Sequence, residues 1–156
     1  MHLSAQQRAD VVRAAKDWIG TPYHHKAAVK KAGADCAMFP VAVYKECGII
    51  PADYQPPEYS TQWHLHRSDE LYLKEIGRFA VEIKETPHPA DFIVFQFGRT
   101  FSHGAIVVEW PLIIHSYIPH GVTLADALTD GQLIGREYKV YEISIADSRR
   151  LEGNSD

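Results

Sequence analysis

Gly33-Ala34-Asp35-Cys36-Ala37-Met38-Phe39-Pro40-Val41-Ala42-Val43-Tyr44-Lys45-Glu46-Cys47-Gly48 is the stretch on which the fold turns. A small, tight Gly-Ala-Asp approach leads into an apolar run that passes through Val41 and Tyr44 at helical spacing and stops at a glycine suited to a C-cap. A helix is therefore expected from Cys36, or just after it, to Cys47. Pro40 sits badly in it, because a proline beyond the first turn removes a helical hydrogen bond. The register puts Cys36 at the positive end of the helix, where a thiolate is favoured, and Cys47 at the other end with apolar neighbours. At ~1.5 Å per residue such a helix holds the two cysteines roughly 16 Å apart, beyond the ~7 Å reach of a disulfide, so both are expected as free thiols.

Upstream, Ser4 and Gln7 have the spacing of a capping box, and Val11, Ala15 and Trp18 recur on one helical face. A helix is predicted over Ala5–Ile19, stopped by Gly20-Thr21-Pro22. Tyr23–Ala34 is rich in His and Lys without apolar periodicity and reads as a loop. Downstream, Pro51–Ser60 reads as a connection and Asp69–Ile76 as a third helix ending at Gly77. The period then changes. Ala80–Lys84, Phe92–Phe97, Ala105–Glu109, Leu112–Tyr117 and Tyr138–Ile145 are β-branched or aromatic runs of strand length. Thr123 and Asp126 have capping-box spacing and predict a short helix. Helices first and strands afterwards point to an α+β domain, with N-terminal helices packed on an antiparallel sheet.

The 156 residues suit one domain, expected over 1–148, with a polar, flexible tail over 149–156. With 46% hydrophobic and 23% charged residues the composition is that of a soluble globular protein, and a net charge of -4 leaves no basic footprint for nucleic acid. No apolar run approaches the ~20 residues of a membrane span, and the first residues lack the pattern of a secretory signal. The sequence predicts synthesis in the cytoplasm, so a substrate outside it would be reached only after delivery by other means.

A cysteine nucleophile needs a histidine distant in sequence and near in space. His103 opens Ser102-His103-Gly104-Ala105-Ile106, where Gly104 permits close backbone approach. His115 lies in the apolar run Leu112–Tyr117, so its imidazole requires a buried partner, and orienting a base would supply one. The bland alternatives are a solvated hairpin histidine at 103, a core histidine bonded to a carbonyl at 115, and an inert buried thiol at 36, as Cys47 is read. Metal binding by His24, His25, His64, His66, His103 or His115 with Cys36 competes with this reading. Neither the i, i+4 His spacing of a zinc helix nor a Cys-x-x-Cys pair occurs, and no metal or cofactor is expected.

Together these segments resemble the NlpC/P60 family of papain-like cysteine peptidases. Trp18–Tyr23 resembles the family's opening motif, and Asp35–Phe39 with Val43-Tyr44 and Gly48-Ile49 its nucleophile helix. His88–Phe95 resembles the segment before a strand, Ser102–Ile106 the strand with the base, and Ile114–Ser116 the third motif. The run after Tyr23 and the lack of a wall-binding repeat resemble the phage-type branch, found in tail-associated and prophage-like proteins. Ala37-Met38 stands where the family usually has Ser-Gly.

The resemblance implies Cys36 as nucleophile, His103 as base and His115 as orienting residue. It implies a supporting or oxyanion role for Tyr23, and substrate contacts from Asp35, which in some members meets a free amine, and from Ser102. The implied reaction is hydrolysis of an amide bond in a peptidoglycan peptide through a thioester, without cofactor. A papain-like lipid acyltransferase or thioesterase, or a non-catalytic phage tail or assembly component, are the alternatives. The dyad chemistry adds one expectation: a Cys36 thiol titrating below the ~8.5 of a free thiol.

Overall fold

The computed structural model describes residues 2–55 and 69–144. The tail, the histidines at 64 and 66, and half of the Pro51–Ser60 connection lie outside the described residues. Helix α1 spans Ala5–Asp17 and opens as its sequence predicts: the Ser4 hydroxyl accepts from the Gln7 amide at 3.1 Å, and the Gln7 side chain accepts from the Ser4 amide at 2.7 Å. It ends two residues before Ile19, where the chain tightens through Trp18 toward Gly20. Its buried face is Val11 and Ala15.

The segment read as a loop before Asp35 contains a small hairpin, β1 (Ala28–Val29) paired antiparallel with β2 (Gly33–Ala34). Two-residue strands are too short to leave an alternation in the sequence. Helix α2 follows over Met38–Glu46, and its start shows how Pro40 is accommodated. The Phe39 amide donates to the Asp35 carbonyl at 3.0 Å, so the first turn begins at Asp35. Pro40 is the third residue of the helix that runs from Met38, so it lies in the first turn, where a missing N–H is tolerated. Phe39, Val43 and Tyr44 are buried on its inner face, each worth about 1.5–3 kcal/mol of transfer free energy.

Helix α3, Asp69–Ile76, ends as predicted at Gly77, whose amide donates to the Leu73 carbonyl, and it lies against β5. The strands are β3 (Ala80–Ile83), β4 (Phe92–Phe97), β5 (Thr100–Glu109), β6 (Leu112–Tyr117), β7 (Gly121–Asp126) and β8 (Tyr138–Ile143). They form one antiparallel sheet in the order β3-β8-β4-β5-β6-β7. The architecture is the expected α+β arrangement of helices on an antiparallel sheet. The short helix expected from Thr123 is corrected to strand β7. Asp126 accepts from the amides of Leu128 and Thr129, capping the turn after the strand rather than completing a box before a helix.

Phe92, Val94, Ile106, Ile114, Val122 and Tyr141 face the helices and meet Val11, Trp18, Phe39, Val43 and Tyr44. The other face, with Ile93, Phe95, Ala105, Val107, Ile113 and Val140, is covered by Ala127 and Leu133 from the connection into β8. An ion pair locks α1 to the head of β4. Arg8 donates to Asp91 at 2.8 Å and to the Pro89 carbonyl at 2.7 Å, while Asp91, with no exposed surface, also accepts from the His88 amide.

Candidate active site

Cys36 is held from both sides of the chain. Asp35 Oδ1 accepts from the amides of Ala37 (3.1 Å) and Met38 (2.8 Å), and Oδ2 accepts from the Lys26 amide at 2.7 Å. The His25 ring stands 3.7 Å from the same oxygen. This carboxylate is fully buried, so the side chain that the resemblance assigns to a substrate amine is here engaged in capping the nucleophile turn and anchoring the loop before it. Lys26 adopts φ 62°, a left-handed conformation that an ordinary residue holds only under constraint, and its amide bond to Asp35 is part of that constraint.

Tyr23 bridges Ala34 in parallel fashion, two residues from the cysteine, and its hydroxyl hydrogen-bonds the Cys36 thiol. Burial, followed by the neighbouring Cys36 and Asp35, raises the Tyr23 pKa well above that of an ordinary phenol, so Tyr23 remains a donor. The expected depression of the thiol is not what the structure shows. Burial first, and the Asp35 carboxylate second, push the Cys36 thiol up to about 12, while Tyr23 and the amides of Cys36 and Ala37 pull the other way. The helix-end effect that motivated the expectation is present in those amides and is outweighed. Cys47 is also a free, half-buried thiol raised by burial and then by Glu46, and no disulfide joins the two.

The histidines form the second half. His103 is 5% exposed on β5, in register with Phe95, and His115 is 2% exposed on β6. His103 Nε2 and His115 Nδ1 are 2.8 Å apart, with the rings near perpendicular at 87°. Phe97 and Tyr117 flank His103, and Tyr117 stacks on His115 at 5.6 Å. Burial lowers the His115 pKa from 6.5 to about 4, against a smaller opposing pull from Asp130. A neutral His115 can accept from His103 when that ring is charged, which is what orienting a base requires. Ser102 is buried at 3%, and its Oγ accepts from the Thr100 hydroxyl at 3.2 Å.

Two contacts tie the halves together, and neither residue stood out in the sequence. The Ser116 hydroxyl, beside His115, donates to the Ala34 carbonyl at 2.7 Å. Tyr72 of α3 places its hydroxyl over Gly104, beside His103, where a Cβ would collide with it and with the Phe92 ring. Burial, then Cys36 and Asp35, raise the Tyr72 pKa well above its ordinary value, so this phenol lies within electrostatic range of the nucleophile. A lone tyrosine in a helix carries no periodic or motif signal, and Ser116, although it closes the third motif, has nothing in sequence that pairs it with Ala34. Among the described residues no three His, Cys, Asp or Glu side chains are grouped to hold a metal ion. No helix among them is long and apolar enough to cross a membrane.

No family model and no curated protein matches the chain by sequence. Solved structures match it by fold, and that fold is the α+β papain-like one of NlpC/P60 domains. The structure of the NlpC/p60 domain of the peptidoglycan hydrolase SagA has a TM-score of 0.56 at 19% identity, over 85% of this chain and 97% of that one. NlpC2 from Trichomonas vaginalis has a TM-score of 0.65 at 15% identity, over 91% of this chain and 48% of that one. An NlpC/P60 family protein from Bacillus cereus has a TM-score of 0.60 at 22% identity, over 88% and 40%. The chain thus spans nearly the whole of the SagA domain and less than half of the other two proteins.

Proposed function

We propose that this chain is a cysteine peptidase that hydrolyses an amide bond in a peptidoglycan peptide, with Cys36 as nucleophile, His103 as base and His115 as the residue that orients it. The observation that carries the reading is the 2.8 Å imidazole pair, with its second member held neutral by burial, tied through Ser116 and Ala34 to the turn bearing a tyrosine-bonded cysteine. In the proposed reaction His103 Nδ1 takes the Cys36 proton as sulfur attacks the carbonyl, because Nε2 is turned to His115. The oxyanion meets the Cys36 amide and the Tyr23 hydroxyl. The amine leaves with the proton from His103, and water then hydrolyses the thioester by the same route. With a resting thiol near 12, proton transfer accompanies attack rather than preceding it. The likeness to a structure named as a peptidoglycan hydrolase supports the substrate class, and the phage-type association rests on the Tyr23–Ala27 run and the lack of a wall-binding repeat.

A second reading, a non-catalytic tail or assembly component, is favoured by that same raised thiol. Incubation with purified muropeptides followed by mass spectrometry separates them. Cleavage that disappears in Cys36→Ala and persists in Cys47→Ala supports the peptidase. Intact muropeptides after incubation with folded wild-type protein reject it.

A further inference from the structure

Beside His115 lies a cavity of about 250 Å³ lined by His115, Tyr117, His120, Thr123, Asp130, Gly131 and Gln132. His103 is not part of that lining, and since His115 Nδ1 is engaged by His103, Nε2 is the ring nitrogen left for the cavity. The side-chain hydrogen bond His115 makes among the described residues is the Nδ1 contact to His103. That second nitrogen belongs to a residue 2% exposed, beside a half-open cavity large enough for several waters.

The tautomer gives that nitrogen a task, on the reading that His103 is the base. For His115 Nδ1 to accept from a charged His103, the His115 proton must sit on Nε2, and an N–H at the cavity takes its acceptor there. The groups facing it across the cavity are the Asp130 carboxylate, the Thr123 hydroxyl, the Gln132 side chain, the Tyr117 hydroxyl and His120. Tyr117 already donates to Gln132 Oε1 at 2.9 Å. Of the charges acting on the His115 ring, Asp130 is the strongest. Asp130 is itself fixed: its Oδ1 accepts from the Gln132 amide at 2.9 Å, its carbonyl accepts from the amides of Leu133 and Ile134, and its amide donates to Asp126.

We propose that Asp130 is a positioning residue which, across this cavity and through water held in it, accepts from His115 Nε2–H and so fixes the tautomer that lets His115 orient His103. The chain of contacts then runs from Cys36 through His103 and His115 to Asp130, four residues from four segments of the chain.

The test is Asp130→Asn, which keeps the oxygen that caps the Gln132 amide while removing the charge. Long-range ¹⁵N–¹H spectra of imidazole-labelled wild-type and variant protein at neutral pH read the His115 tautomer directly. The expected result is Nε2–H in the wild type and a shift toward Nδ1–H in Asp130→Asn. Muropeptide turnover is expected to fall about 10-fold or more with KM unchanged, and Asp130→Glu to restore both. An unchanged His115 tautomer in Asp130→Asn overturns the proposal, whatever happens to turnover. A wild type that cleaves nothing, yet whose His115 signals respond to the substitution, upholds the role of Asp130 and rejects the peptidase reading instead.

Discussion

The buried His115 makes the fold sensitive to acid in a way that can be isolated. Its pKa in the folded chain is about 4 against an ordinary 6.5. Because the folded value is depressed, the unfolded chain binds the proton more tightly than the folded one between those limits. Stability from this residue is therefore fully present above about pH 6.5 and is lost as pH falls toward 4. At about 1.4 kcal/mol per unit, the shift amounts to roughly 3 kcal/mol. His115→Gln removes the titration while retaining hydrogen-bonding capacity. Urea unfolding of wild type and variant, from about pH 7 down to about pH 4, should show the wild-type advantage shrinking by about 1.4 kcal/mol per unit below pH 6.5, with equal m-values. Repeating the pair in a His103→Gln background removes any contribution from the neighbouring ring. A stability difference that stays constant over the whole range would refute the burial of a neutral imidazole at 115.

Arg8→Ala should cost about 3–5 kcal/mol in urea unfolding, since it strands the buried Asp91 carboxylate without its partner, and a loss under 1 kcal/mol would show the pair to be dispensable. Gly104→Ala should destabilise by about 1–3 kcal/mol by colliding with Tyr72 and Phe92, and Tyr72→Ala in the same chain should recover part of that loss. Iodoacetamide labelling of Cys36, read by peptide mass, should have its midpoint well above the ~8.5 of a free thiol; rapid labelling at pH 6 would contradict the raised thiol. Tyr23→Phe should leave folding intact and lower muropeptide turnover by about 10²–10³ if its hydroxyl serves the oxyanion, and unchanged turnover would remove it from that role.

Helix α1 was legible to the atom at its start because a capping box is a local device whose two hydrogen bonds are written in two residues. The strands β4 and β6 were legible end to end, since apolar, β-branched runs of six residues admit few other structures. Strand β7 was misread because Thr123 and Asp126 have the spacing of a cap, and only the neighbouring β6 decides that they belong to a ladder. The histidine pair was foreseen from apolar context, since a histidine within a buried strand has to find a partner. The state of Cys36 was not. Helix position is visible in sequence, but the desolvation and the Asp35 charge that outweigh it depend on how the chain packs around the thiol. Tyr72, Ser116 and Asp130 were passed over because their importance arises only from what the fold sets opposite them.

The backbone between Trp18 and Asp35 takes its partners from the far end of the chain. Gly20 donates to the Val122 carbonyl, Val122 donates to Thr21, and Ala34 receives the Ser116 hydroxyl, while Gly121, at φ 70°, leaves no room for a side chain against Thr21 and Pro22. During synthesis the first of these segments leaves the ribosome roughly a hundred residues before the second. Until the β6–β7 hairpin emerges, the turn bearing Cys36 has only its local bonds, those of Asp35, Tyr23 and the β1–β2 hairpin, to hold it. A nascent or truncated chain ending before that hairpin is thus an unassembled site, and the nucleophile acquires its full setting only once the hairpin has emerged.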